Sequence, residues 1–406
     1  MNHLNQALQE LRDAHLLRRR STCEAIDATH VLYKGQPCLL LAGNSYLGLT
    51  HHPAVQNAAA AAALQYGTGS GGSRLTTGSH ALYEALESQL AAFKHSEDAL
   101  VFSSGYAANV GVLSALGRKE DVFFSDALNH ASLIDGCRLS KAATVIYRHN
   151  DMAHLEELLA QTPCAGQRYL VSDGVFSMDG DIAPLPELVR LGKRYQAEII
   201  LDDAHATGVL GPGGVGTAAH FGLEGRVAVQ LGTLSKALAS EGGFVCGSKT
   251  LISYLLSKAR SFIFSTAMAP ATVAAATAAL QQLQMQPELT ERLQSHAQLL
   301  RQELLQHGLE VLPGTTPILP ILTYDAAATM DLAEACLQAG LLVSGIRPPT
   351  VPPGESRLRL TVCAAHTPEE LRQAAQKISA AAKKLGTRIK QENLSDRRVS
   401  LRATKL

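Results

Sequence analysis

Apolar positions in the middle of the chain fall into short runs that alternate with stretches of helical periodicity. Between about residues 50 and 250 the clearest runs are ALVF (99–102), DVFF (121–124), TVIY (144–147), YLVS (169–172), EIIL (198–201) and VAVQL (227–231). Each leads into a polar or glycine-rich turn and then into apolar residues at helical spacing. Strands alternating with helices predict a mostly parallel sheet covered on both faces. The opening MNHLNQALQELRDAHLLRRR predicts a helix, and VLYKGQPCLLLAG (31–43) an extended segment that leads to Asn44. Past residue 280 the pattern changes to a long polar helix (289–306), a Pro-interrupted extended stretch PILPILT (317–323), a helix near Met330–Ala339 and a strand at RLRLTV (357–362). The expected division is an N-terminal helix and extended arm (1–45), a large domain (46–280), a smaller α+β domain (281–385) and a basic, weakly periodic, loosely docked tail (386–406).

Length and composition narrow the class. A chain of 406 residues suits one large α/β domain with a smaller companion. Lys plus Arg equals Asp plus Glu at 36 each, so no net field recruits nucleic acid or an anionic membrane, and small substrates fit better. Hydrophobic residues make up 46%. No uninterrupted apolar run approaches the roughly 18 to 20 residues of a membrane span. The first residues lack the apolar block of a secretory signal, so a cytoplasmic location is expected. The seven cysteines are odd in number, scattered and without a CxxC pair. That argues against a disulfide framework and against a metal site, and for thiols buried as small hydrophobes.

In an open parallel sheet a ligand sits beyond the carboxyl ends of the strands, so the residues after each apolar run are those that can reach it. ALVF leads into SSGYAANVGVLSAL, where Gly105 precedes a helical pattern whose backbone N–H groups can hold a phosphate. DVFF leads to His130, YLVS to Asp173 and Ser177, EIIL to Asp202, Asp203 and His205, and VAVQL to Thr233, Ser235 and Lys236. Taken singly, such a lysine reads as a solvated loop residue and such a histidine as a structural one. Delivered by successive strands to one sheet edge, they point to a site. An amine nucleophile beside a phosphate cradle, with a carboxylate at the end of a buried strand, is what pyridoxal 5'-phosphate (PLP) needs: an imine partner, an anchor, and a charge that keeps its ring nitrogen protonated. An opposite charge within a few Å moves a pKa by about 1 to 3 units, enough for that purpose. Lys236 and Asp202 take these roles.

The residues that carry this chemistry stand in longer motifs: GNSYLGL (43–49), YGTGSGGSRLTTG (66–78), NHAS (129–132), DGVFSMDGDIAPL (173–185), DDAHATGVLGPGGVG (202–216), GTLSKAL (232–238) and FIFSTAMAP (262–270). In this order they resemble the PLP-dependent α-oxoamine synthases of fold type I. The resemblance implies an α/β fold, a large domain with a mostly parallel sheet plus a smaller α+β C-terminal domain, and an acyltransferase that joins an amino acid to an acyl thioester with loss of carbon dioxide. It implies Lys236 as the imine-forming lysine, Asp202 as the partner of the ring nitrogen, His205 and Ser177 on the ring-hydroxyl side, and His130 stacked on the ring. Gly105, Tyr106 and Thr233 match positions at the phosphate. Ser265 and Thr266 match positions at which a neighbouring subunit completes it, so a homodimer with a shared active site is implied. Asn44 and Arg359 match positions for the amino-acid carboxylate, and Arg18 and Thr350 positions for the acyl chain or its carrier. Without the motif, Arg359 reads as a surface arginine on an edge strand.

Within the family, IRPPTVPPGESRLRLT (346–361) and the amino-terminal LLRRR resemble most the members that join L-alanine to a pimeloyl thioester, of coenzyme A or of acyl carrier protein, at the opening of biotin ring assembly. Two positions depart from the pattern: Ala239 stands where a glycine is common, and Ser45 where an aspartate is. Sibling condensations stay open, of glycine with acetyl-CoA or of serine with a long-chain acyl thioester. So does a non-catalytic PLP-family subunit, against which stands the presence of Lys236, Asp202 and His205. A nucleotide-binding role for YGTGSGGSR is weaker, since the stretch lacks GxxxxGK[ST] and follows no strong strand.

Overall fold

The computed structural model describes residues 2–13, 17 and 20–386. Arg18 and residues 387–406 of the tail therefore lie outside the described residues. The chain forms two compact units, Asn44–Gln294 and Met1–Gly43 with Ser295–Leu406.

After a helix over Asn2–Asp13 come β1 (Cys23–Ala25), β2 (His30–Tyr33) and β3 (Gln36–Leu40), an antiparallel meander. Lys34 and Gly35 join β2 to β3 with φ of 51° and 80°, the two left-handed residues of a tight hairpin turn.

The larger unit is built on β4 (Asp98–Phe102), β5 (Val122–Asp126), β6 (Ala143–Tyr147), β7 (Arg168–Asp173), β8 (Ala197–Asp202), β9 (Val229–Thr233) and β10 (Gly243–Gly247). They form one sheet in the order β4-β10-β9-β8-β7-β5-β6. Every neighbouring pair is parallel except those of β10, which runs antiparallel to both β9 and β4. Because β10 reverses between two strands that point the same way, β4 shares its direction with β5 to β9, and their carboxyl ends gather on one edge. The short glycine-bounded GFVCG of β10 was not among the runs that stood out in sequence.

Alternate residues explain why these runs are continuously apolar. Val171 of β7 and Ile200 of β8 enter one buried cluster with Val112 and Leu113, while Leu170, Ile199 and Leu201 enter another with Leu185 and Leu188. Both faces are covered, so neither side-chain set can be polar.

The other unit adds β11 (Ile318–Tyr324), β12 (Leu341–Leu342), β13 (Ser344–Ile346) and β14 (Ser356–Thr361). β12 pairs in parallel with β3, and β14 lies between β11 and β13. Leu39 and Leu41 share a core with Leu319, Leu358, Leu371 and Ile378, so the amino-terminal segment is part of this unit's packing. Arg359 faces Pro320 and Ser344 across β14 and is buried. Its strand is central, which corrects the edge-strand reading. Among the described residues no helix is long and apolar enough to cross a membrane. All seven cysteines are free; five are buried, whereas Cys164 is half-buried and Cys23 exposed, contrary to the expectation of buried thiols throughout.

Just beyond β8, Asp203 forms an ion pair with Lys94, the residue that ends the helix Ala81–Phe93; the Nζ to Oδ2 distance is 2.8 Å and both side chains are 1% exposed. The ammonium also donates to Val215 O at 2.6 Å and approaches Thr207 Oγ1 at 3.4 Å. Three elements are thereby tied together under the sheet edge. Lys94→Met would leave the Asp203 carboxylate buried without its cation, at a cost of about 3 to 5 kcal/mol. Urea unfolding should show that loss; a change below about 1 kcal/mol, the size of a surface pair, would contradict it.

The loop from β9 to β10 closes through Leu234 N–H to Gly242 O at 3.0 Å and Ser240 N–H to Leu234 O at 2.9 Å. It forces Ala239 to φ 52°, in the left-handed region. That explains why a glycine is common at this position. A left-handed alanine carries about 1 to 2 kcal/mol of steric cost, partly offset by the greater unfolded-state entropy of glycine. Ala239→Gly should stabilise the chain by about 0.5 to 1 kcal/mol, read as a higher urea midpoint, and a lower midpoint would count against the strain.

Candidate active site

The carboxyl edge of the sheet holds a buried carboxylate with protein donors on both oxygens. Asp202 ends β8 and is 4% exposed. Its Oδ1 accepts from Ala204 N–H at 2.8 Å and its Oδ2 from Asn109 Nδ2 at 2.6 Å. Asn109 lies on the helix Gly105–Leu116 four residues after Gly105, hence on the same face one turn along. Its amide also donates to Ser132 Oγ at 2.8 Å, and that hydroxyl lies 2.6 Å from His130 Nδ1. Asp202 and His130 are thus joined through Asn109 and Ser132, neither of which had been assigned a role; the GYAAN and NHAS motifs contained them.

Asp173 ends β7 directly beside Asp202 in register. Its Oδ2 accepts from the His130 backbone N–H at 2.7 Å. Burial, and then the like charge of Asp202, push its carboxyl well above the usual carboxylate range. The His130 imidazole is held below its ordinary pKa, first by desolvation and then by the Lys236 ammonium, against the pull of Asp202. The residue keeps a solvent-exposed face while its protein side is desolvated.

Lys236 follows β9 by three residues, in the loop that closes onto Gly242. Its Nζ lies 2.9 Å from His205 Nε2, and His205 Nδ1 lies 2.7 Å from the hydroxyl of buried Tyr46. Tyr46 in turn donates to Asn44 Oδ1 at 3.4 Å. One set of proton positions satisfies the whole chain: Lys236 donates to Nε2, Nδ1–H donates to Tyr46, and Tyr46 donates to Asn44. Tyr46 belongs to GNSYLGL but had no assigned role. Ser45, next to it, has its hydroxyl 3.5 Å from Thr50 Oγ1.

At the other end of the site the helix Gly105–Leu116 begins. Ser104 caps it by accepting from Ala107 N–H at 3.0 Å, and the first backbone N–H groups of a helix have no partner within it. A Cβ on Gly105 would lie 3.3 Å from Thr233 Cβ, and one on Gly243 would lie 2.4 Å from Ser104 O. Only glycine at 243 lets β10 touch the helix start, and Gly105 rests on Thr233. Thr233 Oγ1 itself donates to Gly242 O at 2.8 Å and accepts from Ser235 N–H at 3.1 Å.

The other assigned residues belong to further turns, helices and strands. Tyr106 is exposed and donates to Asp135 Oδ2, a bond that raises the phenol's pKa. Ser177 is half-buried in the turn after β7. Thr266 pairs with Ser73 in an isolated antiparallel bridge, and Ser265 and Thr266 border a surface recess with Ser103, Arg74 and Tyr83. Thr350 and Arg359 belong to the other unit, Thr350 being exposed with its N–H donating to Arg347 O at 3.1 Å. Among the described residues no group of three or more His, Cys, Asp or Glu could hold a metal ion.

The donor set fits PLP: an amine held by a histidine, a buried carboxylate whose charge is stabilised by two N–H donors, and a glycine-led helix start against a threonine. Comparison with known proteins agrees. The family described as aminotransferase class I and II matches residues 36–378. An 8-amino-7-oxononanoate synthase of Lysinibacillus sphaericus is 46% identical over 385 residues, covering 95% of this chain and 99% of that protein. A high-resolution structure of SPT with its PLP internal aldimine superposes with a TM-score of 0.91 at 33% identity, covering 95% of this chain and 98% of that one. The 8-amino-7-oxononanoate synthase of Francisella tularensis superposes with a TM-score of 0.74 at 28% identity, covering 86% of this chain and 99% of that one. The chain belongs to the class I and II aminotransferase family of PLP-dependent fold type I and, within it, to the α-oxoamine synthases.

Proposed function

We propose that this chain joins L-alanine to a pimeloyl thioester, of coenzyme A or of acyl carrier protein, giving 8-amino-7-oxononanoate, carbon dioxide and the free thiol in biotin biosynthesis. The observation that carries the reading is the Lys236 amine 2.9 Å from His205 Nε2, on the sheet edge where Asp202 is buried with two N–H donors. Sequence identity to relatives named for that product supports the choice of substrates. The backbone match to SPT favours a second reading, serine with a long-chain acyl thioester, which the higher sequence identity outweighs.

The residues that would hold PLP are Lys236 at the aldehyde, Asp202 at the ring nitrogen, His130 over the ring, His205 and Ser177 on the hydroxyl side, and Gly105, Tyr106 and Thr233 at the phosphate. When bound, PLP supplies an electron sink for the α-carbon and for the loss of carbon dioxide. Once deprotonated, the Lys236 amine would donate one hydrogen to His205 Nε2 and use its lone pair to take the α-proton of alanine. General-base help of this kind contributes about 10² to 10⁴ in rate. Tyr46 holds the far side of His205, so the amine is presented by a buried, hydrogen-bonded ring. Asn109 and Ala204 N–H stabilise the Asp202 charge that the cofactor ring would face. Asn44 and Arg359 for the alanine carboxylate, and Arg18 and Thr350 for the acyl chain or its carrier, follow from the motif match; a guanidinium binds a carboxylate by two parallel hydrogen bonds. Ser265 and Thr266 are assigned to a phosphate site shared across a homodimer. Phe264 beside them, 71% exposed, supports a surface that a second copy covers. Balanced charge supports action on small molecules, and the reading sets the reaction in the cytoplasm.

Purified protein with PLP, a panel of amino acids and thioesters of graded length should release thiol fastest with alanine and a pimeloyl thioester, with a product mass equal to their sum less carbon dioxide and thiol. Coenzyme A and carrier-protein arms identify the donor. Turnover with serine and palmitoyl thioester but none with alanine and pimeloyl thioester would establish the second reading instead. Asp202→Asn should bind PLP yet lose kcat by roughly 10²-fold or more, the scale of removing a charge that the transition state needs. An equal loss of PLP affinity and of kcat would place the carboxylate in binding alone.

A further inference from the structure

A buried histidine outside the contacts described so far spans two carboxylates. His149, two residues beyond β6, is 3% exposed; its Nδ1 lies 2.9 Å from Asp126 Oδ1 and its Nε2 2.8 Å from Asp181 Oδ2. Both acceptors are carboxylate oxygens, and each is met by an N–H when both ring nitrogens carry hydrogen; Asn150 Nδ2 also lies 3.3 Å from Nε2, but as a donor it puts no proton between Nε2 and Asp181 Oδ2, the closer contact.

Each of the two aspartates stands in a turn that bears an assigned active-site residue. Asp126 Oδ1 also accepts from Leu128 N–H at 2.8 Å, and its backbone carbonyl accepts from Asn129 N–H at 3.2 Å; this turn ends at His130. Asp126 Oδ2 accepts from Asn150 N–H at 2.9 Å. Asp181 closes the turn that carries Ser177, with its carbonyl accepting from Phe176 N–H at 3.0 Å and Gly180 N–H donating to Phe176 O at 2.8 Å. The His149 ring meets Phe176, the residue before Ser177, edge to face at 4.4 Å between centroids. Asn150 reinforces the junction by donating from Nδ2 to Asp181 Oδ2 at 3.1 Å.

From this geometry we infer that His149, donating from both ring nitrogens, is a positioning residue that sets the turns bearing His130 and Ser177 against one another. The inference rests on the PLP reading of those two residues. The charged groups around the ring are Asp126 from β5 and Asp181 from the turn; Asp173 and Tyr147 bear on Asp126 from β7 and β6, and neighbouring Arg148 is taken up by Asp151. Burial opposes the imidazolium, but the two carboxylates outweigh it and raise the pKa to about 9. A raised folded-state value gives a contribution that is complete below the unfolded value of about 6.5 and is lost as pH rises through about 9.

Two measurements on the full chain test this. Nitrogen-15 NMR of the imidazole should show both His149 nitrogens protonated at neutral pH, with a transition near pH 9. Titration of the cofactor-free chain with PLP should give an affinity that weakens across that transition. His149→Gln should weaken it about ten-fold at neutral pH, as expected for one lost charged hydrogen bond, and flatten the alkaline decline. Should that variant not fold, Asp181→Asn keeps the Asp126 half and should lower both the imidazole transition and the PLP affinity. A single ring proton at neutral pH, or a folded variant with wild-type PLP affinity and pH profile, would overturn the inference. A wild-type chain that takes up no PLP would sink the underlying reading and this role with it.

Discussion

A carboxylate buried at the carboxyl end of a parallel strand sets the terms for everything around it. Removing such a charge from water costs several kcal/mol even after relaxation, so the surrounding chain must supply donors and cations. At Asp202 these are the backbone N–H two residues on and the Asn109 amide from a neighbouring helix. Asn109 can reach only because its helix starts at Gly105, packed against Thr233 of β9. The same contact that brings a donor to the carboxylate thus aims a helix N-terminus at the sheet edge, so one piece of packing positions both features.

The edge itself concentrates like charge. Asp173 and Asp202 are register partners, Asp203 follows, and Asp126 and Asp181 lie nearby. Each is answered locally: Asp203 by Lys94, Asp126 and Asp181 by His149, Asp173 by a backbone N–H and by a raised pKa. Asp202 itself is met on both oxygens by neutral amide N–H donors. Lys236, by contrast, approaches a ring nitrogen, and the hydrogen-bonded chain of His205, Tyr46 and Asn44 orients its amine.

Strain is accepted where the lysine loop turns. Ala239 at φ 52° and the glycines at 242 and 243 let β10 reverse within a few residues and slot antiparallel between β9 and β4. That insertion keeps β4 pointing the same way as β9, and so brings the Gly105 helix and Lys236 to one edge.

Much of this was legible in the residues. Continuous apolar runs such as EIIL announce strands covered on both faces, because alternate side chains must enter opposite cores, and the polar residues just after them announce the edge at which a ligand binds. Lys236, Asp202 and His205 could be picked out on that basis, and the motifs extended the choice. Asn109, Ser132 and Tyr46 could not, since each looks in sequence like any small polar or aromatic residue in a helix or turn; their importance lies in which buried atom they meet. The antiparallel β10 was hidden because its glycines weaken the strand signal, and the burial of Arg359 because edge and centre are properties of strand order. Periodicity and the identity of titratable residues are local and survive in the one-dimensional chain. Hydrogen-bond partners, strand order and the meeting of His149 with two aspartates are set by contacts across tens of residues, which only the packed chain brings into being.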